Sequence, residues 1–189
     1  MEATWTVRRA RDEYLAENGF TLEAYESRWT DASFLGLPLR VPNTRRHRWA
    51  IMLHDLHHVA TGFGTDLTGE GEISAWELRS GTRSLGLYVG SIVVSGAVMG
   101  AVMASRRIAA AWERGAEATN LFAQLPPEDD AAYEALLALD VATLRAKMGL
   151  PAAGIASGPR GLHDFAPPSS AVAQLAREEV DERDDAATG

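Results

Sequence analysis

Twenty-two consecutive residues without a charge, Ser84 to Ser105, set the strongest limit on how this 189-residue chain can fold. A run of that length, bounded by Arg83 and Arg106, belongs in a protein interior, against lipid, or across a bilayer. It is rich in Val, Gly, Ala and Met, and the recurring Gly and Ser make it less apolar than a usual membrane span. Gly96, Gly100 and Ala104 stand at every fourth position, a row of small side chains that lets another helix come close. The first reading is a buried central helix. The second is the wall of a lipid tunnel or a membrane-contacting helix, and the third is a true span. The first two are compatible, because an isoprenoid site needs an apolar lining.

The rest of the chain reads as helices with clear punctuation. A helix is expected over about 5–18, stopped by Gly19, and a second short one begins at Thr21 and carries Leu22, Tyr25 and Trp29. Leu35 to Asn43, with Pro38 and Pro42, reads as a loop. A strong helix follows from about Thr44 to Thr61 and ends at Gly62 and Gly64. Thr65 or Asp66 can cap the next one, which runs to about Gly81. Residues 106–122 read as helical again, Pro126-Pro127 breaks the chain before a helix over 128–139, and Asp140 can cap a last helix ending at Gly149. Strand signals are scarce. The expected fold is therefore all-α, a single-domain helical bundle over 1–150, followed by a weakly structured Pro/Gly/Ala-rich and acidic tail over 151–189.

Charge and composition exclude several functions. The formal net charge is −8, which argues against nucleic acid as a partner, since phosphate contacts need a basic surface. The absence of cysteine removes disulfides, thiolate metal sites and thiol catalysis. The N-terminal residues carry charge where an export signal needs an apolar core, so a cytoplasmic protein that is not exported is expected.

Three of the five histidines fall within the segment HDLHH. At about 100° per residue, His58 lies about 40° from His54 and Asp55 about 100° from it, all on one helical face. Two imidazoles four residues apart is the spacing by which a helix offers both to one metal ion. Trp49, Met52, Leu53 and Leu56 fall on the opposite face, which is the packing face. Beyond the glycines the chain turns back, and Glu70, about one turn into the next helix, can face the cluster as a further ligand. Two imidazoles and two carboxylates suit Zn(II), Fe(II), Mn(II) or Co(II). One divalent ion is expected at His54, Asp55, His58 and Glu70, zinc first and iron or manganese next. His57 points away from the cluster and is structural or a proton relay. His47, in the basic run RRHR, is expected at the surface, and His163 lies in the tail.

The segment HDLHHVATGFGTDLTGE has the form HDxxH, eleven residues, then Glu. It resembles the signature of the fourth Coq protein family of ubiquinone biosynthesis. ARDEYLAENGF (Ala10 to Phe20) and LALDVATLRAKMGL (Leu137 to Leu150) resemble that family's flanking stretches, so the likeness covers about 8–150. It implies an all-helical, membrane-peripheral protein, often a homodimer, with His54, Asp55, His58 and Glu70 as metal ligands and as the catalytic group. It also implies a prenyl-lipid or quinone precursor as substrate, partners in a biosynthetic complex, and oxidative decarboxylation at ring carbon C1. The short N-terminal region, the extra His57 and the tail depart from the family pattern.

Three functions compete. The first is a metal-dependent lyase or oxidoreductase acting on a hydrophobic aromatic substrate, a quinone precursor or another hydrophobic natural product. The second is a non-catalytic lipid-binding scaffold with a structural metal. The third is a phosphohydrolase built on the His54-Asp55 doublet with His47 as a distant ligand, a reading that leaves His58 and Glu70 without a role.

Overall fold

The computed structural model describes residues 4–34, 37–82 and 85–156. The expected tail therefore lies, from residue 157 onward and with it His163, outside the described residues. The order of elements is α1 (Val7–Glu17), α2 (Glu23–Glu26), β1 (Trp29–Phe34), β2 (Leu37–Pro42), α3 (Arg45–Thr61), α4 (Leu67–Ser80), α5 (Gly86–Gly115), α6 (Leu121–Gln124), α7 (Asp130–Leu137) and α8 (Val141–Lys147). The fold is all-α, with one hairpin as its β content among the described residues.

Helix starts follow the side chains that can satisfy free backbone N–H groups. Thr6, Thr44, Asp66, Asn120, Asp129 and Asp140 each accept from a backbone N–H in the first turn of α1, α3, α4, α6, α7 and α8. Of the two expected caps for α4, Asp66 is the one used. Helix α3 ends on Gly62, whose φ of 83° is the left-handed geometry that a residue without Cβ adopts without strain.

Two local expectations are corrected. The segment read as a loop is the second strand of an antiparallel hairpin, with Trp29 paired to Pro42 and Phe34 to Leu37. Its two prolines are tolerated because a two-stranded ribbon has only edges, where a missing N–H costs no ladder bond. Trp29, expected on the second helix, instead opens β1, and α2 is one turn long.

Helix α3 carries the core. Leu53, Leu56 and Ala60 are fully buried among Trp76, Leu121, Phe122, Leu137, Leu144 and Met148. His47, expected at the surface, is buried at the start of α3. The strand-like bridge between Thr6 and Asp140 ties the N-terminal segment to the start of α8, with Val141 N–H donating to Trp5 O at 2.9 Å.

Helix α5 is not the wrapped central helix expected. One face packs along α4, where a Cβ on Gly100 would stand 2.7 Å from the Gly71 Cα and one on Gly96 would stand 2.5 Å from Ser74 Oγ. The small-residue row is therefore the seat of a helix crossing, and its glycines leave no tunnel there. Arg107 adds a forked pair to buried Glu72, Nε donating to Oε1 at 3.0 Å and Nη2 to Oε2 at 2.6 Å. The other face exposes Val94, Val98 and Val102, with Val102 79% exposed. The helix bends at Ala104, whose φ and ψ of −143° and 53° are not helical. No helix among the described residues is long and apolar enough to cross a membrane.

The first six residues of the expected tail belong to the fold. Ile155 and Ala156 N–H donate to Thr61 O at 2.9 and 3.0 Å, at the end of α3. Buried Arg145 joins both sides, donating from Nε to Ala60 O at 2.8 Å and from Nη1 to Ala152 O at 2.6 Å. A chain ending at Leu150 should consequently melt lower than one ending at Ala156, by a destabilisation of about 1–3 kcal/mol for the lost partners of a buried charge. Equal midpoints in calorimetry would remove these contacts from the stability of the fold. Gly100→Ala should likewise cost about 1–3 kcal/mol by forcing α4 and α5 apart, and an unchanged thermal midpoint would contradict the close crossing.

Candidate metal centre

Helix α3 supplies the imidazoles and α4 the carboxylates. The reversal between them is set by left-handed Gly62 and by Asp66, which caps α4. It places Glu70 opposite the His54–His58 face. His54 Nε2 and His58 Nε2 stand 3.1 Å apart. Glu70 turns Oε2 to His54 Nε2 at 3.4 Å and Oε1 to His58 Nε2 at 3.5 Å. Ligand atoms about 2.0–2.1 Å from one tetrahedral ion lie about 3.3 Å from each other. The triangle thus has the size of one face of such a coordination sphere, and His54, His58 and Glu70 form a group that could hold a metal ion.

The donor chemistry fits a divalent ion as well as the spacing does. His58 Nδ1 lies 3.1 Å from the Phe63 carbonyl, which only accepts, so this nitrogen carries the hydrogen. His54 Nδ1 lies 2.8 Å from Glu77 Oε1 in the same way. Both Nε2 atoms therefore face one another beside a carboxylate, an arrangement that calls for a cation between them, a proton or a metal. His58 is closed off, with no side-chain exposure, whereas His54 and Glu70 are 25% and 39% exposed, so the group can be approached from their side.

The electrostatics follow from that crowding. Burial opposes charge on His54, but Glu77 and Glu70 outweigh it and raise its pKa well above the ordinary imidazole range. Burial also acts on Glu70, where the two imidazoles prevail and hold the carboxyl far below its usual range. Glu77 is held at about 2 against its burial by His54 and His57. His57 is lowered by burial, and its partner Glu77 only partly offsets this.

Asp55 departs from the four-ligand expectation. It is buried one residue from His54, yet it accepts a hydrogen bond from Tyr25 OH and is not in the converging group. Its pKa is pushed up to about 6 by burial, which the Tyr25 bond and the nearby imidazoles oppose. Helical angle and the HDxxH resemblance both brought Asp55 into the set, while a competing phenol takes up its carboxylate. Tyr14 also approaches Asp55 with a side-chain hydrogen bond, and its ring is stacked on His58 at 5.4 Å. Among the described residues the group that could hold a metal is His54, His58 and Glu70, and His47 is not in it.

Glu77 is the residue that sequence reasoning missed. It is fully buried and touches two of the three clustered histidines, His54 and His57. Its signal is present: it stands seven residues after Glu70, on the same face of α4, flanked by Trp76 and Leu78.

Comparison with known proteins yields no relative: no family model, no curated protein and no solved structure matches the chain. Fold and site together define an all-α protein with a His/His/Glu group able to hold a cation.

His58→Ala removes one of two imidazoles and should abolish stoichiometric zinc in the purified, dialysed protein. Zinc content equal to the parent, measured by plasma mass spectrometry, would place the ion elsewhere.

Proposed function

We propose that this protein is a divalent-metal-dependent enzyme, with zinc the first candidate ion, acting on a hydrophobic aromatic substrate of the prenylated quinone-precursor type. The observation that carries the metal is the triangle of two Nε2 atoms and one carboxylate with edges of 3.1, 3.4 and 3.5 Å. His54, His58 and Glu70 would hold the ion. Bound there, a metal supplies Lewis acidity toward a substrate oxygen.

The chain's own residues favour catalysis over a purely structural ion. Three protein ligands with a further position open is the pattern of catalytic sites, while structural sites close with four. Tyr25 engages Asp55 and so keeps the fourth carboxylate away, and the partial exposure of His54 and Glu70 leaves an approach.

The substrate class rests on the resemblance of HDLHHVATGFGTDLTGE to the fourth Coq protein family, which also implies the reaction, oxidative decarboxylation at ring carbon C1. The exposed valines of α5 support it, because they give an apolar surface on the helix that packs against the one bearing Glu70. Such a surface suits an isoprenoid chain, a membrane surface or a partner protein.

A scaffold with a structural metal is the second reading, favoured by the position of Asp55 beside His54. Released from Tyr25, that carboxylate could close the site. X-ray absorption of the zinc-loaded protein, with Asp55→Asn as the variant, separates the two. The enzyme reading expects two imidazoles, the Glu70 carboxylate and a non-protein oxygen, with zinc retained in Asp55→Asn. Four protein ligands, and zinc lost from that variant, would establish the scaffold. Incubation of the zinc-loaded or iron-loaded protein with a prenylated aromatic acid in air, with dioxygen as the two-electron oxidant because zinc itself is redox-inert, tests the substrate: replacement of the carboxyl group by a hydroxyl, with release of CO2, supports it, and failure to bind any prenylated aromatic removes it.

A further inference from the structure

We infer that Glu77 is the positioning residue of the metal group, fixing the tautomer and ring orientation of His54, and that His57 is the strut that holds Glu77 in place. The inference rests on the metal reading above and concerns how this chain prepares its ligand.

A neutral imidazole binds a metal through one nitrogen while the other keeps its hydrogen, and whatever that hydrogen bonds to decides which nitrogen is free. Around His54 the two candidates are the two carboxylates of one helix. Glu70 and Glu77 are seven residues apart, about 700° of rotation, so both lie on the same face of α4, two turns from each other. The His54 ring sits between them. Glu77 Oε1 is 2.8 Å from Nδ1, a full hydrogen bond, whereas Glu70 Oε2 is 3.4 Å from Nε2, a spacing suited to a shared ion. Glu77 therefore takes the hydrogen on Nδ1 and leaves Nε2 as the ligand atom.

Glu77 is itself tightly placed. Its Oε1 also accepts from His57 Nδ1 at 2.7 Å, and neither side chain has any exposure. The far nitrogen of His57, Nε2, accepts the backbone N–H of Leu121 at 3.1 Å. That bond sets the His57 tautomer from the backbone and prevents the ring from turning over. The rings of Trp76 and Phe122 meet His57 edge-on, with centroids at 5.3 and 4.7 Å. An unbroken path thus runs from the first residue of α6 through His57 and Glu77 to the metal edge of His54. Glu77 Oε2 is buried with no hydrogen-bond partner among the described residues, so the hydrogen bonding of this carboxylate is concentrated on the two imidazoles. A residue needed only for packing would not be an acid here, because an uncompensated carboxylate in an apolar site is costly.

Carboxylates that orient a ligating histidine typically change metal affinity by about 10–100-fold when removed. The test uses the full chain and zinc alone. In the zinc-bound parent, long-range ¹H–¹⁵N spectra of the histidine rings should show His54 bound through Nε2, with a slowly exchanging hydrogen on Nδ1. Glu77→Gln keeps an amide oxygen but loses the charge. With the circular dichroism of the parent, it should bind zinc about 10–100-fold more weakly in competition with a chromogenic chelator, and its cobalt form should show shifted visible bands. A folded Glu77→Gln with parental zinc affinity overturns the inference. So does a zinc-bound parent in which His54 coordinates through Nδ1, an outcome independent of whether the variant folds. A parent that takes up no zinc overturns the metal reading itself, which distinguishes that failure from failure of the positioning role.

Discussion

A carboxylate buried without exposure between two imidazoles is the constraint around which the centre of this protein is arranged. Taking a charge out of water costs several kcal/mol, and only donors held in good geometry offset it. Glu77 meets that demand with His54 and His57, both from α3 and three residues apart. The requirement fixes the distance and rotation between α3 and α4. It also recruits α6, since His57 needs the Leu121 N–H to keep its own orientation. Three helices are tied together through polar groups in a region otherwise filled by Trp76, Phe122 and Leu53.

The placing of Glu70 depends on a second contact, on the adjacent side of α4, about 100° round the helix. Gly71 follows Glu70 directly and meets Gly100 of α5 backbone to backbone. With both residues lacking Cβ, α5 comes close enough to buttress the start of α4, and the Arg107–Glu72 pair holds the same crossing further along the α5 helix. Buttressing from α5 and hydrogen bonding from α3 together leave α4 little freedom to rotate its carboxylates away from the histidines. The charge-free part of α5 is apolar on both faces, but only one face is used within the described chain. That asymmetry explains why the charge-free run could be read equally as a core helix or a lipid contact: composition records that a face avoids water, not what it meets.

Most of what was legible in the sequence is local. Caps and stops identify themselves because the donor or acceptor they satisfy lies within one turn, as at Thr44, Asp66, Asp140 and Gly62. The His54–His58 pair is legible for the same reason, since a four-residue spacing on a helix settles which way both rings point. What was not legible depends on partners distant in the chain. The pairing of 29–34 with 37–42 is one that its prolines argue against. The burial of His47 and the docking of 151–156 on Thr61 through Arg145 are set by neighbours from other segments. Glu77 belongs with these, because an acid between Trp76 and Leu78 gains its meaning only when α3 is laid across it.

Asp55 marks the boundary between what helical periodicity decides and what it does not. A position about 100° from His54 brings the Asp55 carboxylate to the edge of the ligand face. A short side chain there can turn either toward the Nε2 pair or toward whatever donor approaches from the other side. Tyr25 approaches from α2, and a buried carboxylate takes a phenolic donor readily, because leaving its oxygens unsatisfied is the costlier state. Asp55 therefore stays beside the histidines as a charge within their field without sharing their triangle. For a bound ion this difference separates a closed shell from an open one. The choice lies with Tyr25 on a one-turn helix thirty residues upstream and with Tyr14 of α1, rather than with the motif that contains the aspartate.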